Sequence, residues 1–184
     1  FQSAPEVALT TLISLVNFCT ERWIESVTDS DTSEAPFMTL DFTDGSQRAF
    51  MGWWQVYNWP QSNDFNNSHL YCALDALERW LTMRLDNDED ITHDIEKIFS
   101  EGNSAALVRV LVNVAKYRPL LLTASLAPLM TFPDHFDWDR KLTEKVGYNF
   151  DGLSWAKCGD AIFEIARDWT LAPHRQRAFI DVAI

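Results

Sequence analysis

The stretch from Asn103 to Tyr117, NSAALVRVLVNVAKY, constrains the fold more than any other. Nine of its residues are apolar, from Ala105 through Ala115, and Pro119 stops the pattern two positions beyond its end. Asn103 or Ser104 can cap its start, because a short polar side chain there accepts a backbone N–H that the first turn leaves free. The strongly polar residues inside it, Arg109, Asn113 and Lys116, fall at i, i+4 and i+7, which is one narrow line along a helix. A surface helix shows a much narrower apolar face, so this one must be wrapped by neighbours over most of its circumference. On this reading Arg109→Ala costs little, since Arg109 lies on the polar line. Val110→Asp unfolds the domain.

Around that helix the chain reads as helical throughout. Residues 5–28 open with Pro5 at a favoured first position and place Ala8, Leu12, Leu15, Val16, Cys19, Trp23 and Val27 at helical spacing. Residues 28–36 are a polar loop. FMTLDF, then Thr43-Asp44-Gly45-Ser46, then QRAFMGWW reads as a β-hairpin, with Asp-Gly supplying the positive φ of a tight turn. A second loop covers 60–68. From His69, Leu70, Leu74, Leu77, Leu81 and Leu85 form one helix face, with Asp75 and Arg79 as an i, i+4 pair on the other. A short helix from residue 91 or 92 to about 100 follows, ended by Gly102 in a left-handed cap. Pro119 opens a helix broken near Pro128, and residues 132–139 lead as a loop into a short helical stretch. After a turn at 147–152 comes a helix from 153 to 169, its core at Trp155, Cys158, Ile162, Ile165 and Trp169. Pro173 starts a last helix. The fold class expected is all-α: a multi-helix bundle or a HEAT-like α-solenoid segment with one small β-hairpin.

A chain of 184 residues can bury a core without staples and reads as a single helical domain over 1–184. It lacks an initiator Met and ends on the helical pattern AFIDVAI, which reads as a fragment of a larger protein. The net charge of −12 argues against a nucleic-acid partner or an anionic membrane surface, both of which need clustered Lys and Arg. No apolar run reads as membrane-spanning, and none reads as a signal peptide. Cys19, Cys72 and Cys158 lie in apolar helical patterns and read as buried free thiols in a reducing, cytoplasmic setting.

Catalytic signals are missing. His69, His93, His135 and His174 are scattered without metal spacing and read as polar surface, and six glycines form no phosphate-cradling loop. The acidic loop at residues 86–94 fails as a calcium loop: Ile91 stands where the sharp turn needs Gly, and Lys97 where a bidentate Glu is needed. It reads as a solvated helix–helix loop, with Asp90 capping the next helix. No metal and no cofactor is read from the sequence. Trp53, Trp54, Tyr57 and Trp59 follow the hairpin and read mainly as a plug between hairpin and helices, with at least one ring exposed to meet a partner.

Three segments together resemble a known group. SAPEVALTTLISLVNFCTERW, LYCALDALERWL and GNSAALVRVLVNVAKYRPLLL, with FDWDR and its Trp138-Asp139 pair after them, resemble the helical region of large bacterial P-loop ATPases of the STAND or NACHT-like kind. Several of those are linked to defence against bacteriophage. The resemblance spans Ser3 to Arg140 and includes none of the nucleotide-binding motifs, so it carries over no catalytic residue. It implies a non-enzymatic scaffold or sensor segment that binds protein, either other domains of its parent or an external protein. The competing class is a stand-alone helical enzyme with a divalent metal at the acidic loop.

Overall fold

A computed structural model describes residues 3–28, 37–61, 68–145 and 160–183. The elements are α1 (Pro5–Thr28), β1 (Phe37–Asp41), β2 (Gln47–Met51), α2 (Trp53–Tyr57), α3 (Ser68–Asp86), α4 (Thr92–Glu101), α5 (Ala105–Tyr117), α6 (Asp134–Lys145) and α7 (Asp160–Thr170). Tight 3₁₀ turns occupy Trp59–Gln61, Pro119–Thr123, Ala127–Thr131, Pro173–Gln176 and Phe179–Asp181. The chain is all-α with one antiparallel hairpin, whose register pairs Phe37 with Met51 and Asp41 with Gln47.

α5 is the axis of the core. It contacts α1, α2, α3, β2 and four of the 3₁₀ turns. Ser104 caps it, its Oγ accepting from Ala106 N at 3.2 Å. The same oxygen accepts from Thr20 of α1 at 2.7 Å, and the Asn17 side chain reaches both Asn103 N (2.9 Å) and Glu101 O (2.8 Å). α1 thus supplies partners to three backbone or side-chain groups of the α4–α5 turn. β2 joins in through Met51 N, which donates to Asn103 O at 2.6 Å.

Several sequence expectations need correction. α1 turns Leu9, Leu12, Ile13, Val16 and Ile24 inward and leaves Leu15 exposed, so its buried face is rotated by about one position. Apolar residues on both sides of α1 made the periodicity ambiguous. Gly102 is extended (φ −79°, ψ 141°) and takes no left-handed cap. A Cβ there would collide with Ile98 O and Leu107, so close approach of two helices selects the glycine. Residues 119–131 form two 3₁₀ turns where a broken helix was expected. Pro119 and Pro128 donate no backbone hydrogen bond, and the segment closes on i→i+3 bonds such as Leu129 N to Leu126 O (3.0 Å). The segment after Pro173 is likewise 3₁₀. Cys72 and Ile165 are exposed, where both were expected in the core. Of the loop expected at 28–36, Thr28 ends α1 and the rest lies outside the described residues, as do the turn expected at 147–152, Trp155 and Cys158.

Candidate functional site

The aromatic cluster divides. Tyr57 is fully buried, Trp59 is buried edge-on to Trp23 (centroids 6.3 Å apart), Trp54 is half-buried, and Trp53 is 47% exposed. The four therefore share no single surface. Trp53 is held by unusual backbone: Gly52 turns at φ +100°, where a Cβ would strike Val56, and Trp53 itself sits at φ +43°. Its ring then meets Trp138 of α6 edge-on at 6.3 Å, and Tyr57 meets the same indole at 5.4 Å.

The acidic loop is organised by Arg84. Its guanidinium donates to Glu89 Oε2 (2.8 Å) and Asp90 O (2.9 Å) and pairs with Asp94. Asp90 does not cap α4 as expected: the cap position is Ile91, with no side-chain cap bond. The Asp90 carboxylate instead accepts from the N–H of Thr92, the first residue of α4, at 2.9 Å. The Thr92 side chain and then that backbone bond hold its pKa below the usual carboxylate range. Among the described residues, no group of three or more His, Cys, Asp or Glu side chains is placed to hold a metal ion.

The feature sequence reasoning missed lies at the centre. Arg109, Asn113 and Lys116, read as an outward line, are all buried. They meet Glu78 from α3, Asp139 from α6, and His174 and Arg175 from a 3₁₀ turn near the end of the chain. Glu78 accepts from Asn113 Nδ2 (2.7 Å), from Arg175 Nε and NH2 (both 2.8 Å), and lies 3.0 Å from His174 Nε2. Burial alone would raise its pKa. The Arg175 charge and the bonds from His174 and Arg175 outweigh burial and bring it down to about 2. Asp75 also pairs with Arg175 and accepts from Trp169 Nε1 at 2.7 Å, yet burial wins there and its pKa is raised. The two-toothed contact of Arg175 goes to Glu78, which explains the difference. The expected Asp75–Arg79 pair does not form: Arg79 lies over the Trp169 ring at 5.4 Å instead.

Asp139 serves a second cluster. Oδ1 is ion-paired with Arg109, whose guanidinium nitrogens make no hydrogen bond, and accepts from Lys116 Nζ at 3.1 Å; Oδ2 accepts from Phe179 N at 2.5 Å. One carboxylate faces two cations, and burial together with the nearby Arg109 charge pulls the Lys116 ammonium well below its ordinary range. His135 lies beside them among Phe132, Phe136 and Phe179, with neither ring nitrogen hydrogen-bonded. Burial, then Arg109, lowers its pKa to about 3. In formal charge the set balances: Arg109, Lys116 and Arg175 against Asp75, Glu78 and Asp139. The expectation of surface histidines is corrected at His135 and His174, both buried. The only sequence signals were the i, i+4, i+7 line on α5 and the Asp of FDWDR; nothing showed that they meet.

No protein-family model, curated protein or solved structure matches the chain. Among the described residues no helix is long and apolar enough to cross a membrane.

Proposed function

We propose that this chain is a non-enzymatic scaffold or sensor module that binds protein, a segment of a large cytoplasmic bacterial ATPase of the STAND or NACHT-like kind, with phage defence as the parent's role. The observation that carries the reading is the mounting of Trp53. A large ring stands out of the surface on strained backbone, braced against Trp138, which is in turn braced by Tyr57 and Phe132. A rigid exposed aromatic loses little freedom when a partner covers it, which is what makes such residues binding anchors. The charged groups beneath it favour the same reading. They close on one another and fix the shape of the helical body.

Hydrogen exchange on the parent protein and on this chain alone tests the proposal. Slower exchange around α2 in the parent is expected; identical exchange at every amide of the segment overturns the reading. A G-x-x-x-x-G-K motif followed by Ser or Thr elsewhere in the parent is the matching expectation for the ATPase. The competing enzyme reading separates by calcium or magnesium titration under thermal melting. The midpoint should stay fixed, whereas a rise of several degrees at sub-millimolar metal favours a metal site at residues 86–94.

A further inference from the structure

The buried network balances overall, but its two ends differ in charge. Arg175 takes both Asp75 and Glu78, which leaves Arg109 and Lys116 to share one carboxylate, Asp139. The Arg109 end thus carries one positive charge more than it has acids to answer. It also carries donors that nothing accepts. Arg109 is fully buried with Nη1 against Asp139, while Nε and Nη2 have no hydrogen-bond partner. The Tyr57 hydroxyl of α2 is fully buried and unpartnered as well. These two groups are neighbours. The guanidinium lies 5.4 Å from the centroid of the Tyr57 ring, and its charge and N–H groups oppose the burial that raises the phenol's pKa. Buried donors are almost always satisfied by protein, water or an ion. His135 lacks partners too, but its ring contacts are Phe132, Phe136 and Phe179, and the neutral imidazole adds no charge.

We propose that Arg109 and Tyr57 hold a small monovalent anion, of halide or nitrate size, between the α5 guanidinium and the α2 hydroxyl. Every free valence on Arg109 is a donor, and the phenol turns its O–H the same way. The edge formed by Nε and Nη2 is a two-pronged anion clamp. The surplus is a single charge, so a monovalent ion closes it and a divalent phosphate or sulfate reverses it. Water satisfies donors but leaves the surplus in place. Arg109, Tyr57 and Asp139 are all fully buried, so the ion sheds its hydration shell on entry. Weakly hydrated bromide or nitrate therefore enters at lower cost than fluoride.

The site is independent of what Trp53 binds, so its test leaves that reading untouched. The chain is placed in sodium gluconate and titrated with sodium bromide at constant ionic strength under thermal melting. The midpoint should rise and saturate, by roughly 3–6 °C at tenfold excess over the Kd. Nitrate should act alike and fluoride weakly. That order opposes the general effect of salts, in which strongly hydrated anions favour the folded state and no saturation is reached. Tyr57→Phe keeps the ring against Trp138 and removes the hydroxyl alone. Its midpoint in gluconate should match the wild type, and its half-saturating bromide concentration should be higher by about tenfold or more. Arg109→Lys keeps a charge for Asp139 and loses the clamp, so it should not respond to bromide. Should that variant fail to fold, Tyr57→Phe decides alone. A midpoint that stays flat or drifts without saturating overturns the proposal, as does a bromide response that Tyr57→Phe leaves unchanged. So does a Tyr57→Phe midpoint lowered equally in both salts, because the hydroxyl would then be bonded to Arg109 directly.

Discussion

α5 carries a line of Arg109, Asn113 and Lys116 that the fold buries completely, while α1 carries a line of Val7, Leu15 and Phe18 that it leaves in water. Read by polarity alone, neither line is where it would be expected. The difference lies in what other elements bring. α5 meets Glu78, 35 positions from Asn113, and Asp139, 23 from Lys116, with Arg175 bound to Glu78 in turn, and each charge finds an opposite one or a hydrogen bond. Once paired, the polar line is as buriable as an apolar one, and it fixes how α3, α6 and the terminal turns sit on α5. On α1 no element among the described residues covers Val7, Leu15 and Phe18. A polar line means exposure only if no partner comes, and an apolar line means burial only if one does.

The comparison breaks most visibly at the network. Glu78→Ala leaves Arg175, Asn113 and His174 around a buried gap, and Arg109→Ala leaves a gap beside Asp139, with Lys116 as its one remaining charged partner. Each should cost ~3–5 kcal/mol, the usual penalty for stripping one partner from a buried pair. Val110→Asp, on a fully buried position of the same helix, should be of similar size. Urea denaturation decides the point. If Arg109→Ala falls within ~0.5 kcal/mol of wild type while Val110→Asp unfolds the chain, the line faces solvent after all, as the sequence reading had it.

Acid should act on the network side next. The unfolded chain protonates His135 near its ordinary 6.5, the folded one only at about 3, so stability falls as pH drops through that window. Glu78 adds a second loss as pH falls from 4.5 toward about 2, because its folded pKa is depressed below the unfolded value. His135→Phe removes the first loss. Both ring nitrogens lack partners and three Phe side chains surround them, so the change should be near neutral at pH 7 and flatten the stability profile between pH 7 and 5. An unchanged slope in the variant would mean that His135 is hydrated or partnered in solution.

What the sequence revealed was local. The hairpin followed from Asp44-Gly45, α3 from its leucines at steps of three and four, and α5 from its cap and length, because each signal is carried within a few residues. The wrapping of α5 was legible too. The network was not: Glu78 and Arg175 are 97 residues apart, and Asp139 and Phe179 are 40 apart. No periodicity within one helix encodes such a meeting. Trp53 was legible as one of four aromatics. Its selection as the exposed ring depended on the turn at Gly52 and on Trp138, a residue of another helix.

The smallest expected effect sharpens the other half of the comparison. Leu15→Gln and Phe18→Gln place polar amides where α1 now offers apolar side chains to water. Each side chain is about half in water already, Gln is as good a helix former as the residues it replaces, and Thr11 keeps its backbone bond. Each should change unfolding free energy by less than ~0.5 kcal/mol. Phe18→Gln should be the larger of the two, because it also removes the ring under Arg22. The mirror substitutions on the inner face, Leu12→Gln and Val16→Gln, put an amide into the core and should cost several times more. Comparing the four by urea denaturation measures directly which face the fold uses. A cost at Leu15 equal to that at Leu12 would show α1 covered on both sides in solution, and the free stripe would vanish with it.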